Sequence, residues 1–156
     1  QGVELGNATE ELREFIEKAD IPCATTFLGL SAVPSNHPLN KGILGMHGNL
    51  GPNVMTNQCD LLIAVGMRFD DRVTGNLATY AKQAKIIHFD IDASEFNKNV
   101  KIDLGVLGNC KDTLKAVTAL IDETKHSSWS NGFEPYKEKE YLLLQTLQAP
   151  LEYLHN

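Results

Sequence analysis

The stretch Asp60–Arg68 (DLLIAVGMR) narrows the possible folds more than any other part of the chain. A strand-length apolar run without polar alternation marks a strand buried on both faces, and such strands belong to parallel sheets covered by helices. Lys85–Asp92 (KIIHFDID) reads the same way, and after a polar turn so does Leu104–Leu107. Helical stretches separate them: a short one from Pro52 to Cys59, another over Leu77–Ala84, and a longer one capped by Asn109 with Asp112 at its third position. Leu114, Val117, Leu120 and Ile121 give that last helix an inward stripe. Three strand–helix alternations in series predict an α/β fold around a parallel sheet.

Upstream, Asn7 with Glu10 reads as an N-cap and its third-position acid, opening an amphipathic helix near residues 8–20 with Leu12, Phe15, Ile16 and Ala19 inward and Glu11, Glu14 and Lys18 outward. Pro22 ends it, Ile21–Leu28 (IPCATTFL) follows as a buried strand, and Gly29 closes the strand. Residues 30–41 (LSAVPSNHPLNK) have loop chemistry and lead into GILGMHG at 42–48.

The chain has 156 residues, enough for one sizeable core and a tail. Residues 1–125 read as a cofactor-binding domain. Residues 126–156 read as a linker, HSSWSNGFEPYK, and a helical stretch at Tyr141–Leu147 that Pro150 should end or kink. A formal charge of −6 argues against nucleic acid and anionic membrane surfaces, which need clustered cations. Cys23, Cys59 and Cys110 are widely spaced without a C-x-x-C pair, so neither a disulfide framework nor a zinc site is suggested, and a reduced compartment fits. The longest apolar run, Leu61–Met67, is far short of the roughly 20 residues that cross a bilayer. A start at Gln1 suggests a piece of a longer protein, with any targeting segment elsewhere.

Three motifs carry candidate chemistry. Gly45-Met46-His47-Gly48-Asn49-Leu50-Gly51 spaces glycines three apart between a short strand and a helix start, where backbone N–H groups can face an anion or a flat ring; the glycines equally suit a tight turn. No acid is placed by sequence to orient His47 as a catalyst. Gly66-Met67-Arg68-Phe69-Asp70-Asp71-Arg72-Val73-Thr74-Gly75 begins where the strongest strand ends, the edge at which open α/β sheets bind ligands. Arg68 and Arg72 are two of the three arginines in the chain and suit a phosphate; an internal Arg–Asp network that ties the loop down is the alternative. Asp90-Ile91-Asp92, with Glu95 beyond, puts carboxylates at the next strand end, where Asp90 could accept from ribose hydroxyls and Asp92 or Ser94 could instead cap a short helix. Gly108 allows close backbone approach, and Asn109 is explained as a cap. Glycines, two arginines and an acid after strands of one sheet describe a dinucleotide cradle with no evident nucleophile, metal cluster or acid–base pair.

TTFLG (25–29), LGMHG (44–48), GMRFDDRVTG (66–75) and HFDIDASE (88–95), in this order and spacing, resemble the central domain of acetohydroxyacid (acetolactate) synthase catalytic subunits, over roughly residues 1–121. The resemblance implies a Rossmann-like, six-stranded parallel sheet with helices on both faces and a first strand ending just before Gln1, Gly2 being left from its glycine turn. It also implies FAD held by Gly2, Thr26, Phe27, Leu44, Gly45, Met46, His47, Gly66, Arg68, Asp70, Arg72, Val73, Asp90, Ile91, Glu95, Gly108 and Asn109, with Asp71 and Arg72 on the substrate channel. Asn109 stands where the family usually has Asp, Phe27 and Leu28 where Leu and Met are common, and Met67 where a smaller residue is common.

The implied parent decarboxylates pyruvate and joins the hydroxyethyl unit to a second 2-keto acid in branched-chain amino-acid synthesis. Thiamine diphosphate and Mg2+ would be bound by its other domains, in a homodimer or tetramer with a regulatory small subunit, cytoplasmic or, with a transit peptide, organellar. No GDG-type motif for diphosphate and Mg2+ occurs here, so no carboligase activity is expected of the chain by itself. Alternatives are the central domain of a pyruvate oxidase or glyoxylate carboligase, a stand-alone nucleotide-binding or sirtuin-like NAD module, and a scaffold domain that has lost its ligand.

Overall fold

A computed structural model describes residues 1–152, with side-chain surroundings given through residue 146. The chain runs α1 (Gly2–Leu5), α2 (Thr9–Ala19), β1 (Cys23–Thr25), a 3-10 segment (Phe27–Ala32), β2 (Asn40–Ile43), α3 (Leu50–Thr56), β3 (Leu61–Val65), α4 (Asp71–Thr74), β4 (Lys85–Asp90), a 3-10 turn (Ala93–Glu95), β5 (Leu104–Leu107), α5 (Cys110–Leu120), α6 (Ser127–Asn131) and α7 (Glu134–Glu152). Every strand pairing is parallel, as the strand–helix alternation predicts.

The sheet is not six-stranded. Among the described residues the strands form a pair, β1–β2, and a separate sheet in the order β3–β4–β5. β3 and β4 pair without interruption from Leu61–Lys85 to Val65–Phe89. β1 and β2 share only Cys23–Asn40 and Thr25–Ile43, with a register shift between them. Between the free edges of β1 and β3 lies an apolar slot of about 660 Å³, whose lining includes Cys23–Thr25 on one side, Leu61–Val65 on the other, and Phe15, Ile16 and Met55.

While Leu104 and Leu107 of β5 are exposed, apolar packing covers both faces of the β3–β4–β5 sheet at β3. On one, Leu12, Phe15 and Ile16 of α2 meet Leu114 of α5, with Ile63 and Val65 packed against them. On the other, Phe69, Tyr80 and Ala81 close over Ala64 and Ile86. Alternation along β3 accounts for the division, since successive side chains point to opposite faces.

Several local expectations are corrected. Asn7 does not cap α2, which starts at Thr9 after Ala8; Asn7 sits at φ 48° and completes the turn that follows the unforeseen α1. The Ile21–Leu28 strand shrinks to Cys23–Thr25, because Phe27 begins a 3-10 segment in which Gly29 N–H donates to Thr26 O. Gly29 therefore lies inside that segment and does not close the strand. The loop at 30–41 ends in β2, so the short strand expected ahead of the Gly45 turn is present but begins at Asn40, inside the stretch read as loop. Leu77–Ala84 is a run of turns: Asn76 Oδ1 accepts from Ala78 N–H, and Ala81 adopts φ 45° with its N–H donated to Asn57 Oδ1. Leu120 is 85% exposed, while Thr118 is buried beside Leu114. At about 100° per residue position 120 lies about 120° around the helix from 114, off the inward stripe of 110, 114, 117–118 and 121.

The stretch after Lys125 also contains more structure than a linker. His126 N–H donates to Asp20 Oδ2, Thr124 Oγ1 donates to Ala19 O, and α6 and α7 follow. α7 runs past Pro150 to Glu152, so the proline does not end it; so near the helix terminus it removes a single backbone bond. Tyr141 to Leu144 are exposed, in keeping with a helix that lacks a core of its own.

Candidate functional site at the carboxyl edge of the strands

The residues named from sequence gather along one edge. β1 hands over to Thr26 and Phe27, β2 to the Leu44–Gly48 turn, β3 to Gly66–Arg68, β4 to Asp90–Ile91 and β5 to Gly108–Asn109. In parallel strands these are all carboxyl ends, so the loops form a row on the same side of the molecule.

Backbone hydrogen bonds stitch the row together. Leu44 N–H donates to Thr25 O at 2.9 Å, Met46 N–H to Arg72 O at 2.8 Å, Gly66 N–H to Phe89 O at 2.8 Å and Gly108 N–H to Asp90 O at 3.0 Å. Gly2 N–H donates to Gly66 O at 2.8 Å. The two chains approach so closely there that a Cβ on Gly2 would sit 2.7 Å from Gly66 Cα. Gly45 also needs to be glycine: its φ is 109°, and a Cβ would come within 2.5 Å of Arg72 O.

The side chains along the edge divide by role. Arg68 and Arg72 are exposed, and among the described residues neither is paired with a carboxylate. The internal Arg–Asp network is therefore not formed. Asp70 caps α4 instead, accepting from Val73 N–H at 3.3 Å, and Asp71 is exposed in that helix's first turn. Phe27, Met46 and Ile91 are exposed by 68, 69 and 71%, which leaves apolar surface along the edge for a flat ring. His47 is exposed too, with no hydrogen-bond partner among the described residues, and nothing orients it as a base.

The acids beyond β4 are tied into the protein. Asp90 is buried; its Oδ1 accepts from Asp92 N–H at 2.9 Å and its Oδ2 lies 3.5 Å from His88 Nε2. His88, which sequence reasoning passed over, is fully buried, with Nε2 2.9 Å from Met67 O and its ring edge-on to Phe69 and Phe96. Asp92 accepts from Ser94 N–H, the capping alternative, and bonds from Ser94 hold its carboxyl below the usual range. Glu95 pairs with Lys98 at 2.7 Å, and Asn109 caps α5 by accepting from Lys111 N–H. Apart from the exposed Asp71, the free charged side chains along the edge are thus the guanidinium groups of Arg68 and Arg72. No cluster of three or more metal-ligating side chains occurs among the described residues.

Sequence reasoning also missed the asparagines that hold the Gly45 turn. Asn53 of α3 accepts from Gly45 N–H and donates to Gly45 O, both at 2.9 Å, and Asn49 accepts from Ile43 N–H at 2.9 Å. Asn49 also donates to Glu140 of α7 at 3.1 Å. A signal was available: Asn49, Asn53 and Asn57 repeat every four residues through a helical stretch, where asparagine is a poor helix former unless its side chain has backbone to bond.

Comparison with known proteins agrees with this arrangement. Residues 1–117 match the family model for the thiamine pyrophosphate enzyme central domain. The chain is 44% identical over 77% of its length to a protein named "Probable acetolactate synthase large subunit" from Methanocaldococcus jannaschii, of which it covers 20%. It is 41% identical over 88% of its length to the acetolactate synthase large subunit of Buchnera aphidicola, covering 25% of it. It is 38% identical over 94% of its length to the chloroplastic acetolactate synthase 2 of Nicotiana tabacum, covering 22% of it. The chain thus spans about a fifth to a quarter of the length of these relatives. Parallel α/β architecture, a carboxyl-edge row of loops and the match over residues 1–117 together make this chain a member of the thiamine pyrophosphate enzyme central-domain family.

Proposed function

We propose that this chain is the flavin seat of an acetolactate synthase catalytic subunit, binding FAD across the carboxyl edge of its strands. The observation that carries this reading is the pair of unpaired guanidinium groups, Arg68 and Arg72, beside the glycine turn at Gly45. Arginine forks suit a diphosphate by bidentate hydrogen bonds. Gly45, Gly66 and Gly108 make the positive-φ turns just beyond β2, β3 and β5, and Phe27, Met46 and Ile91 offer apolar surface to the isoalloxazine and adenine rings. These residues fit an extended dinucleotide better than a compact anion. Gly2, Thr26, Leu44, His47, Val73, Asp70, Asp90, Glu95 and Asn109 complete the proposed seat, several of them through backbone, and Asp71 with Arg72 would border a substrate channel.

In this reading FAD is structural, with no net redox change in the reaction. The parent enzyme would decarboxylate pyruvate and join the hydroxyethyl unit to a second 2-keto acid, using thiamine diphosphate and Mg2+ held by other domains, with a regulatory small subunit as partner. No helix among the described residues is long and apolar enough to cross a membrane, and the three free cysteines suit a reduced compartment, cytoplasmic or organellar. Residues 1–125 would be the cofactor domain and the remainder the connection onward. The slot between β1 and β3 supports a sixth strand seated there, which would join the two sheets into one: edge strands with unpaired backbone are a liability unless covered.

The test is a titration of FAD with the chain and its Arg68→Ala and Arg72→Ala variants, read by flavin fluorescence. Saturable quenching by the parent chain, weakened by roughly tenfold or more in each variant, is expected for lost charge-assisted bonds. Equal binding by all three proteins would reject the assignment. Supplied with pyruvate, thiamine diphosphate and Mg2+, the chain alone should form no acetolactate.

A further inference from the structure

We propose that Asn53 is a positioning residue for the cradle, one whose carboxamide sets the Gly45–Met46 turn so that a ligand meets it in register with Arg72. The inference rests on the flavin reading for the ligand's identity, but the grip itself is geometric. Asn53 Oδ1 accepts from Gly45 N–H and Nδ2 donates to Gly45 O, each at 2.9 Å, so both polar groups of one peptide position are held by a single side chain. Nδ2 also donates to Asn49 O at 3.1 Å, which anchors the carboxamide to its own helix. From the other side Met46 N–H donates to Arg72 O at 2.8 Å. The turn is therefore clamped between the helix that follows it and the loop that bears the guanidinium. At φ 109° Gly45 has no side chain of its own to hold it there; without Asn53 its N–H loses its partner and its carbonyl keeps only the bond from Gly48 N–H, which loosens the turn. Asn57, the C-cap one turn further on, accepts from Ala81 N–H and donates to Asn53 O, a backbone bond that does not involve the Asn53 carboxamide, so it serves as a control at the end of the same helix.

The experiment compares the wild-type chain with Asn53→Ala, Asn53→Asp and Asn57→Ala. Amide hydrogen exchange at Gly45 and Met46 is read without ligand, FAD affinity by fluorescence, and melting by circular dichroism. Asn53→Ala should speed Gly45 exchange and weaken FAD binding by roughly ten- to thirtyfold, the loss expected for two hydrogen bonds. Asn53→Asp keeps the acceptor for Gly45 N–H and should fall between, which keeps the test open if the alanine variant folds poorly. Asn57→Ala should leave both readouts at the wild-type level even where it lowers the melting temperature. Wild-type exchange at Gly45 in Asn53→Ala would overturn the clamp, and faster exchange with unchanged FAD affinity would overturn its role in the cradle. Failure of the wild-type chain to bind FAD would count against the flavin assignment instead, with the clamp then judged on exchange alone.

Discussion

The two sheets are held together in different ways. In β3–β4–β5 the strands pair over unbroken registers, and buried apolar side chains such as Ile86 and Phe89 sit along β4. In β1–β2 the pairing is short and shifted, and no residue of β2 is fully buried. Asparagine side chains do much of the holding there. Asn40 donates to Val33 O and Pro34 O and accepts from Gly42 N–H, Asn49 accepts from Ile43 N–H, and Asn53 grips Gly45. A sheet built on apolar burial is robust and general, whereas one built on directed side-chain bonds places a particular turn.

Truncations should separate the two halves most sharply. Ile86→Ala, in β4, should lower unfolding free energy by about 3 kcal/mol, the middle of the range for a buried aliphatic side chain, whereas Ile43→Ala in the half-buried β2 should cost about 1 kcal/mol. Urea denaturation measures both, and equal losses would break the distinction.

Next in size are the glycines. Gly45→Ala should cost about 2 kcal/mol or more, since it adds a clash with Arg72 O to the strain of a φ of 109°. Gly75→Ala, at φ 57° with nothing within 4 Å of the added Cβ, should show only the strain, about 1 kcal/mol. Thermal melts of the pair sharpen the claim that the Gly45 turn is placed by contact as well as by conformation.

A pH effect of about 1 kcal/mol should come from β1. Burial pushes the Cys23 thiol up to about 11 from an ordinary value of 9.0. Between those values the unfolded chain has lost the proton that the folded chain keeps, so raising the pH favours unfolding, with the stability fully present below pH 9 and lost by 11. Comparing urea midpoints at pH 8 and 10 should show a larger drop in the wild-type chain than in Cys23→Ala. The smallest effect belongs to Glu140→Gln, which should change stability by no more than about 0.5 kcal/mol, since the Asn49 amide can still donate to the new carbonyl.

What the sequence made legible follows the same division. Leu61–Val65, Lys85–Asp90 and Leu104–Leu107 announce themselves by apolar continuity, and Asn109 by its position ahead of an amphipathic helix. A short strand ahead of the Gly45 turn was legible, but its start at Asn40 was not, because that depends on Asn40 and Asn49 reaching backbone several residues away. The turns at 77–84 look helical by composition, and long-range bonds, from Ala81 N–H to Asn57 Oδ1 and from Gln83 Nε2 to Thr56 O and Cys59 O, override that preference. At the site, the loops, the glycines and the capping role of Asp92 were legible, but the internal use of Asp70, Asp90 and Glu95 was not, since a carboxylate at a strand end reads equally as a ligand contact.

The most direct test of a flavin seat on the carboxyl edge is an amide chemical-shift map of the chain during titration with FAD. Perturbations concentrated at Met46, Gly66, Arg68, Arg72 and Gly108 are predicted, with the asparagine-lined groove around His37 and Lys137 undisturbed. Shifts confined to that groove, or none at saturating FAD, would contradict it.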